Sequence, residues 1–140
     1  MQDIRIAGLA DAAAITALLW AARAAIPLNE ELDQPEFAFW HEQHCRGGNY
    51  RVIDDAEGLL GAMLLLREAI YYLVVAERGR RQGVGSALIR QAQRTFRRLE
   101  VKVSPANAGM QRLLAAHGFD RLGPNGGWVD FLWQGPAGPA

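Results

Sequence analysis

Residues 73–86, reading Leu-Val-Val-Ala-Glu-Arg-Gly-Arg-Arg-Gln-Gly-Val-Gly-Ser, pass from an apolar strand through a basic turn with two close glycines into the opening of a helix. That order of residue types suits a phosphate-bearing ligand. Glycine has no Cβ, so the chain can bend tightly and present consecutive N–H groups to an anion at the positive end of a helix dipole. Arg78, Arg80 and Arg81 add full charges to the same turn.

Spacing separates the phosphate-binding turns that share this logic. A Walker A loop ends in Gly-Lys-Ser/Thr, and the one lysine of the chain, Lys102, lies well outside the turn. A dinucleotide fingerprint wants a third Gly or Ala at position 88, where Leu88 stands, and more strands than this chain supplies. What fits is Arg80-x-x-Gly83-x-Gly85, which resembles the Gln/Arg-x-x-Gly-x-Gly/Ala pyrophosphate signature of the GNAT superfamily of acyl-CoA N-acyltransferases. The resemblance continues downstream. Val101-Lys-Val-Ser-Pro-Ala-Asn107 followed by Ala-Gly-Met-Gln-Arg-Leu113-Leu114-Ala-Ala-His-Gly118-Phe119 is similar to the family's second motif, a strand leading to an Asn, a helix and Gly-Phe. The position that usually holds Tyr is Leu114 here. The likeness spans roughly residues 2–134.

The elements that must position these motifs alternate in an α/β manner. Ile4 and Ile6 mark a short first strand. Asp11 is a good N-cap, and Ile15, Leu18, Leu19, Ala22 and Ile26 recur at helical spacing until Pro27. Pro35 suits the first turn of a second helix, with Phe37, Trp40, His41 and His44 on one face before Gly47-Gly48 stops it. Tyr50–Ile53, Leu59–Leu66 and Ile70–Val75 read as a three-strand meander with turns at Asp54-Asp55 and Arg67-Glu68. A third helix from Gly83 to Phe96 turns Val84, Leu88, Ala92 and Phe96 inward, and Leu99–Val103 forms the next strand. A fourth helix buries Met110, Leu113, Leu114 and His117. Phe119–Leu122 and Trp128–Trp133 make a closing hairpin around Pro124-Asn-Gly-Gly. The fold class is therefore α/β (α+β), and the resemblance implies a GNAT fold: a central mixed, mostly antiparallel sheet of about six or seven strands flanked by four helices. Residues 1–134 are expected to form one domain, with 135–140 a disordered tail.

Composition sets the remaining bounds. A chain of 140 residues suits a single domain, and no stretch approaches the ~18 apolar residues of a membrane span. Met1-Gln-Asp-Ile-Arg does not open a signal peptide, and Cys45 is the one cysteine, so no intramolecular disulfide forms. A cytoplasmic protein with no membrane partner is expected. The net charge is zero, but positions 78–102 carry eight basic residues against one acidic, while positions 30–57 carry eight acidic and two basic. A basic strip attracts a polyanion such as coenzyme A, and an acidic region attracts a cationic amine; solvated helix faces account for the same charges. Nucleic acid is a poor partner, since no aromatic stacking platform interleaves the arginines.

Taken as a guide to chemistry, the resemblance implies direct transfer of an acetyl group from acetyl-CoA, the co-substrate, to the primary amine of a small molecule or peptide. It implies coenzyme contacts at Leu73, Val74 and Val75, where a backbone N–H meets the developing oxyanion, and at Arg80, Arg81, Gln82, Gly83, Val84, Gly85, Ser86 and Asn107. A homodimer is compatible with it. The amine must lose its proton, which costs about 4.6 kcal/mol at pH 7 for a lysine-like amine and about 1 kcal/mol for an α-amino group. Glu68 and Tyr72 are the titratable candidates for that step, and Ser104 for protonating the sulfur; each also has an ordinary structural role, Ser104-Pro105 as a cap and first-turn pair. Asn107 reads as a cap or a coenzyme contact, and His117 as a helix-end residue. His41-Glu-Gln-His44 is one residue short of the zincin spacing, so no metal is expected. With Leu114 at the Tyr position, a non-catalytic acyl-CoA binding module is the alternative. Nucleotide binding at the glycine turn is a third reading.

Overall fold

A computed structural model describes residues 3–26 and 29–136. Pro27 and residues 137–140 of the expected tail lie outside the described residues. In chain order the elements are β1 (Arg5–Ile6), α1 (Ala12–Ala21), α2 (Phe37–Arg46), β2 (Tyr50–Asp55), β3 (Gly58–Leu66), β4 (Ala69–Val75), α3 (Val84–Thr95), β5 (Arg98–Val103), α4 (Ala108–Ala116), β6 (Asp120–Asn125) and β7 (Trp128–Gln134), with short 3-10 turns at Leu9–Asp11, Arg23–Ala25, Asn29–Asp33 and Glu77–Gly79. The strands make one seven-stranded sheet ordered β1-β2-β3-β4-β5-β7-β6. Every pairing is antiparallel except β4 with β5.

Apolar patterning decides which faces are covered. Strand β3 is buried from Leu60 through Leu65, as its unbroken Leu-Leu-Gly-Ala-Met-Leu-Leu-Leu run demands of a strand packed on both sides. One side holds α3 and α4: Val84, Leu88, Ile89, Ala92 and Leu114 pack on Ile53, Met63, Leu99, Val101, Val103 and Phe131. The other holds α1 and α2, where Ile15, Leu19, Phe37 and Cys45 pack on Tyr50, Val52, Leu64, Tyr72 and Val74. Strand β5 alternates strictly, with Leu99, Val101 and Val103 buried and Arg98, Glu100 and Lys102 exposed, so this half of the sheet is helix-covered on one face only.

Several local expectations shift. Helix α1 ends at Ala21 and the Arg23–Ala25 turn takes over, so the apolar spacing runs past the helix. Asp11 flanks α1 without capping it, because its carboxylate takes two hydrogen bonds from Arg5 and one from the Gly8 N–H. Both carboxylate oxygens are thereby engaged, and bidentate pairing with a guanidinium outweighs a single bond to a helix amide. Pro35 stands in the turn before α2. Asp54 and Asp55 belong to β2, and the turn moves to Ala56-Glu57. On α4 only Leu114 is fully buried, with Met110 and Leu113 part-exposed.

His41 is the one buried polar side chain in the core among the described residues, 2 % exposed. Its Nε2 lies 2.9 Å from Ala12 O, an acceptor only, so Nε2 carries the hydrogen and Nδ1 accepts from Tyr50 Oη at 3.1 Å. Burial holds its pKa below the ordinary value, and burial does the same to His44 and His117. Because the unfolded chain then takes up protons that the native state refuses, stability is full above about pH 6.5 and falls as pH drops through the folded-state values. The urea midpoint should therefore fall between neutral pH and about pH 5, and His41→Gln should flatten that dependence.

Candidate active site

The basic turn sits at the C-terminal end of β4. Arg80 is extended, Arg81 adopts a left-handed φ of +66°, and Gly83 occupies the N-cap of α3 at φ +79°. A non-glycine residue in that region costs on the order of 1–3 kcal/mol, which the surrounding structure must offset. No side chain caps α3. Among the described residues no protein acceptor meets the N–H groups of 81–86, whereas the Arg80 amide is already bonded to Glu77 O and the Ala87 amide to Gly83 O. A cradle of successive unpaired amides thus opens at a helix N-terminus, with exposed Arg80 and Arg81 beside it.

The two glycines serve different ends. A Cβ at Gly83 would meet no protein atom within 4 Å, so its place is backbone conformation and open approach from outside. A Cβ at Gly85 would lie 2.9 Å from Leu113 Cδ2, so that glycine lets α4 close on α3. Arg78 does not join the cradle: its guanidinium donates to Asp55 at 2.6 Å and to Leu59 O at 3.2 Å. Gln82 reaches back to Arg78 O, and the Ser86 hydroxyl lies 3.0 Å from His117 Nε2.

From this turn β4 leads into a gap in the sheet. Only Ala69 and Ile70 pair with β5, opposite Glu100 and Val101; beyond them the strands separate. The cause is local. Leu64 pairs with Tyr72 but Leu65 with Ile70, so Tyr71 is an extra residue and the bulge bends β4 away from its neighbour. The Ala76 amide donates to Leu60 O on β3, and the two-residue alternation of an antiparallel ladder turns the Val74 and Tyr72 amides the same way. The amides of Leu73 and Val75 consequently face the gap, while that of Val74 is committed to β3. A cleft of about 30 Å³ fills the gap, lined on one side by Ala25, Ile26 and the Ile70–Leu73 segment and on the other by Val101–Val103, Asn107 and Met110.

The titratable candidates are dispersed around this cleft. Glu68 is exposed in the β3–β4 turn, at the closed end of the gap, and lines none of the cavities described here. Tyr72 lines the cleft, but its hydroxyl donates to Glu31 Oε2 at 3.0 Å and burial together with that carboxylate raises its pKa, so it stays a neutral phenol. Ser104 Oγ accepts from the Ala106 N–H at 3.3 Å, within the loop that follows β5. Asn107, rather than Ser104, caps α4, accepting from the Met110 N–H at 3.1 Å, while its side chain also borders the cleft. Leu114 is wholly buried in the core, so the α4 wall of the cleft carries Met110 and no hydroxyl. Both ring nitrogens of His41 are engaged inside the protein, and His44 Nδ1 lies 3.1 Å from Asn49 Nδ2.

Two residues that the sequence reading passed over stand at the centre. Tyr71 lines the cleft and two adjoining cavities. One, of about 190 Å³, lies on the open face of β5 and β7 against Glu100, Lys102, Leu122 and Asp130. The other, of about 330 Å³, lies against α2. Glu31 accepts from Tyr71 Oη at 2.8 Å and from Tyr72 Oη. Strict strand alternation would place neighbouring tyrosines on opposite faces; the bulge puts Tyr71 and Tyr72 on one.

Residues 13–119 match the model of the acetyltransferase (GNAT) family. The chain belongs to that family and is an acyltransferase of its type. Solved structures agree on the fold. PaiA N-acetyltransferase from Thermoplasma acidophilum, in complex with coenzyme A, superimposes with a TM-score of 0.77 at 11% identity, over 96% of this chain and 99% of that one. A GNAT-family acetyltransferase from Bacillus cereus gives 0.75 at 15% identity, over 98% and 99%. Diaminobutyrate acetyltransferase EctA from Paenibacillus lautus, in complex with L-2,4-diaminobutyric acid and coenzyme A, gives 0.74 at 17%, over 94% and 93%. A search of curated protein sequences returns no match. The mixed seven-stranded sheet with four helices is the GNAT fold. No helix among the described residues is long and apolar enough to cross a membrane.

Proposed function

We propose that the protein moves an acetyl group from acetyl-CoA to a primary amine by direct attack within the β4–β5 cleft. The observation that carries this reading is the continuity of two unpaired sets of amides. The cradle at 81–86 would take the pyrophosphate, with Arg80 and Arg81 beside it, and strand β4 leads from there to the inward-facing Leu73 amide. A donor placed at the carbonyl oxygen stabilises the tetrahedral intermediate and is worth on the order of a hundredfold in rate. Asn107 and Met110 would form the opposite wall.

The amine attacks the thioester carbon, the carbon–sulfur bond breaks, and the ammonium proton passes to solvent or a nearby carboxylate. A thiol with pKa about 8.5 leaves as a tolerably stable thiolate, so a cleft without an acid on α4 still supports turnover. Glu68 is exposed and can act only through water, and neutral Tyr72 is suited to holding Glu31 rather than to taking a proton. A second reading, acyl-CoA binding without transfer, draws on the burial of Leu114 where relatives carry a hydroxyl. Thiol release separates the two. Purified protein given acetyl-CoA and a panel of amines, peptides and polyamines should liberate free thiol with at least one class; coenzyme binding without thiol release across the panel would favour the binding module.

A further inference from the structure

The open hollow of about 330 Å³ against α2 has a composition of its own. Its lining is Glu31, Gln34, Glu36, Phe37, Trp40 and Tyr71, three aromatic rings and two carboxylates with no basic side chain. The rings are set at angles to one another: Trp40 and Tyr71 have centroids 5.9 Å apart at 62°, and Phe37 and Trp40 6.0 Å apart at 43°. Phe37 is stacked on His41 and Trp40 meets Tyr71 edge to face, so the aromatic wall is fixed in place; a cation seated against such rings is attracted by their quadrupoles. The Glu31 carboxylate is fixed at the edge of that space by the Tyr71 and Tyr72 hydroxyls; both approach Oε2, whereas Oε1 accepts from Tyr71 alone and keeps a lone pair for a further donor. Among the described residues the Glu31 carboxylate is held by two neutral phenols and forms no ion pair, so its charge is available to a cationic ligand.

Tyr71 lines both this hollow and the β4–β5 cleft, so the two spaces meet at a single side chain. We infer that the acceptor carries a second, cationic group besides the amine that is acetylated, and that this group docks between Glu31 and the rings of Trp40 and Tyr71. The acceptor class is therefore a diamine or polyamine, or an amine with a cationic tail. A carboxylate at the far end of the acceptor would face Glu31 and Glu36 and be rejected. The inference rests on the acetyl-transfer reading for what happens at the first nitrogen, and on the cavity alone for the second.

Putrescine and butylamine, the same chain with and without its second nitrogen, test it. With acetyl-CoA, kcat/KM for putrescine should exceed that for butylamine by about tenfold or more, chiefly through KM, and Glu31→Gln should bring the ratio to about two or less. Trp40→Leu should lower the ratio in the same direction. Calorimetry on the protein saturated with coenzyme A gives an independent readout: putrescine should bind in the wild type and lose that binding in Glu31→Gln, whose fold is checked by circular dichroism. Turnover with equal preference for the two amines, or putrescine binding indifferent to Glu31 and Trp40, overturns the inference. Glu31-dependent binding of putrescine without any thiol release would uphold it and sink the acetyl-transfer reading instead.

Discussion

Gly83→Val should weaken acetyl-CoA binding on the order of a hundredfold while the protein remains folded. Two charge-assisted hydrogen bonds at about 1.5 kcal/mol each account for a loss of that size. Two features of the structure combine here. The residue sits at φ +79°, where a β-branched side chain is strongly disfavoured, so the turn must rotate and carry its amides out of alignment. Its Cβ would also point into space free of protein atoms, which is where the pyrophosphate would approach. For the same reason the core is spared, and the cost to stability should be only about 1–2 kcal/mol. Gly83→Asn, which tolerates the left-handed region, should retain most of the affinity. Titration calorimetry with acetyl-CoA, beside chemical denaturation, measures both quantities; an unchanged affinity in Gly83→Val would remove the cradle from the binding site.

Leu73→Pro should reduce kcat on the order of a hundredfold with a much smaller change in KM for acetyl-CoA. Proline removes the N–H that faces the gap without breaking the β3 ladder; the leucine side chain that packs on the core and lines the cleft is lost with it, so Leu73→Ala, which keeps the N–H, is the control for that loss. If that amide meets the carbonyl oxygen as charge develops, its loss appears in the chemical step. Val74→Pro is the informative contrast: its amide belongs to the ladder, so the variant should lose stability rather than turnover alone. A Leu73→Pro enzyme with wild-type kcat at saturating substrates would place the oxyanion elsewhere.

Most of the fold was legible because each element has a periodic apolar pattern and punctuation at its ends. Gly83, Gly47-Gly48 and the Asn125-Gly126-Gly127 turn fall where chain reversal or helix initiation requires them. The amide cradle proposed for the coenzyme was legible for a related reason, since it is contiguous in sequence and its chemistry is that of the backbone. The hollow proposed for the acceptor was not. Glu31 is one acidic residue among eight between positions 30 and 57, and nothing in its neighbours marks it until the Tyr71 bulge brings two phenols to it from 40 and 41 positions away. A bulge shifts the facing of side chains without leaving any signal in an apolar strand. Ser104 misled in the opposite sense. Ser-Pro is a fair cap pair, but Asn107 starts the helix three residues later, since its side chain reaches the Met110 amide.

The parting of β4 from β5 gives the sheet an edge in its own interior. Exposed edges invite other chains to pair with them, which is why proteins usually shorten, charge or cover them. Here the unpaired stretch is recessed between two strands of the same sheet, with Ala25 and Ile26 above it and Asn107 and Met110 below. A folded neighbour cannot enter so narrow a recess. The hydrogen-bonding capacity of a rim strand is thereby withheld from other chains, and on the acetyl-transfer reading it is kept for the thioester.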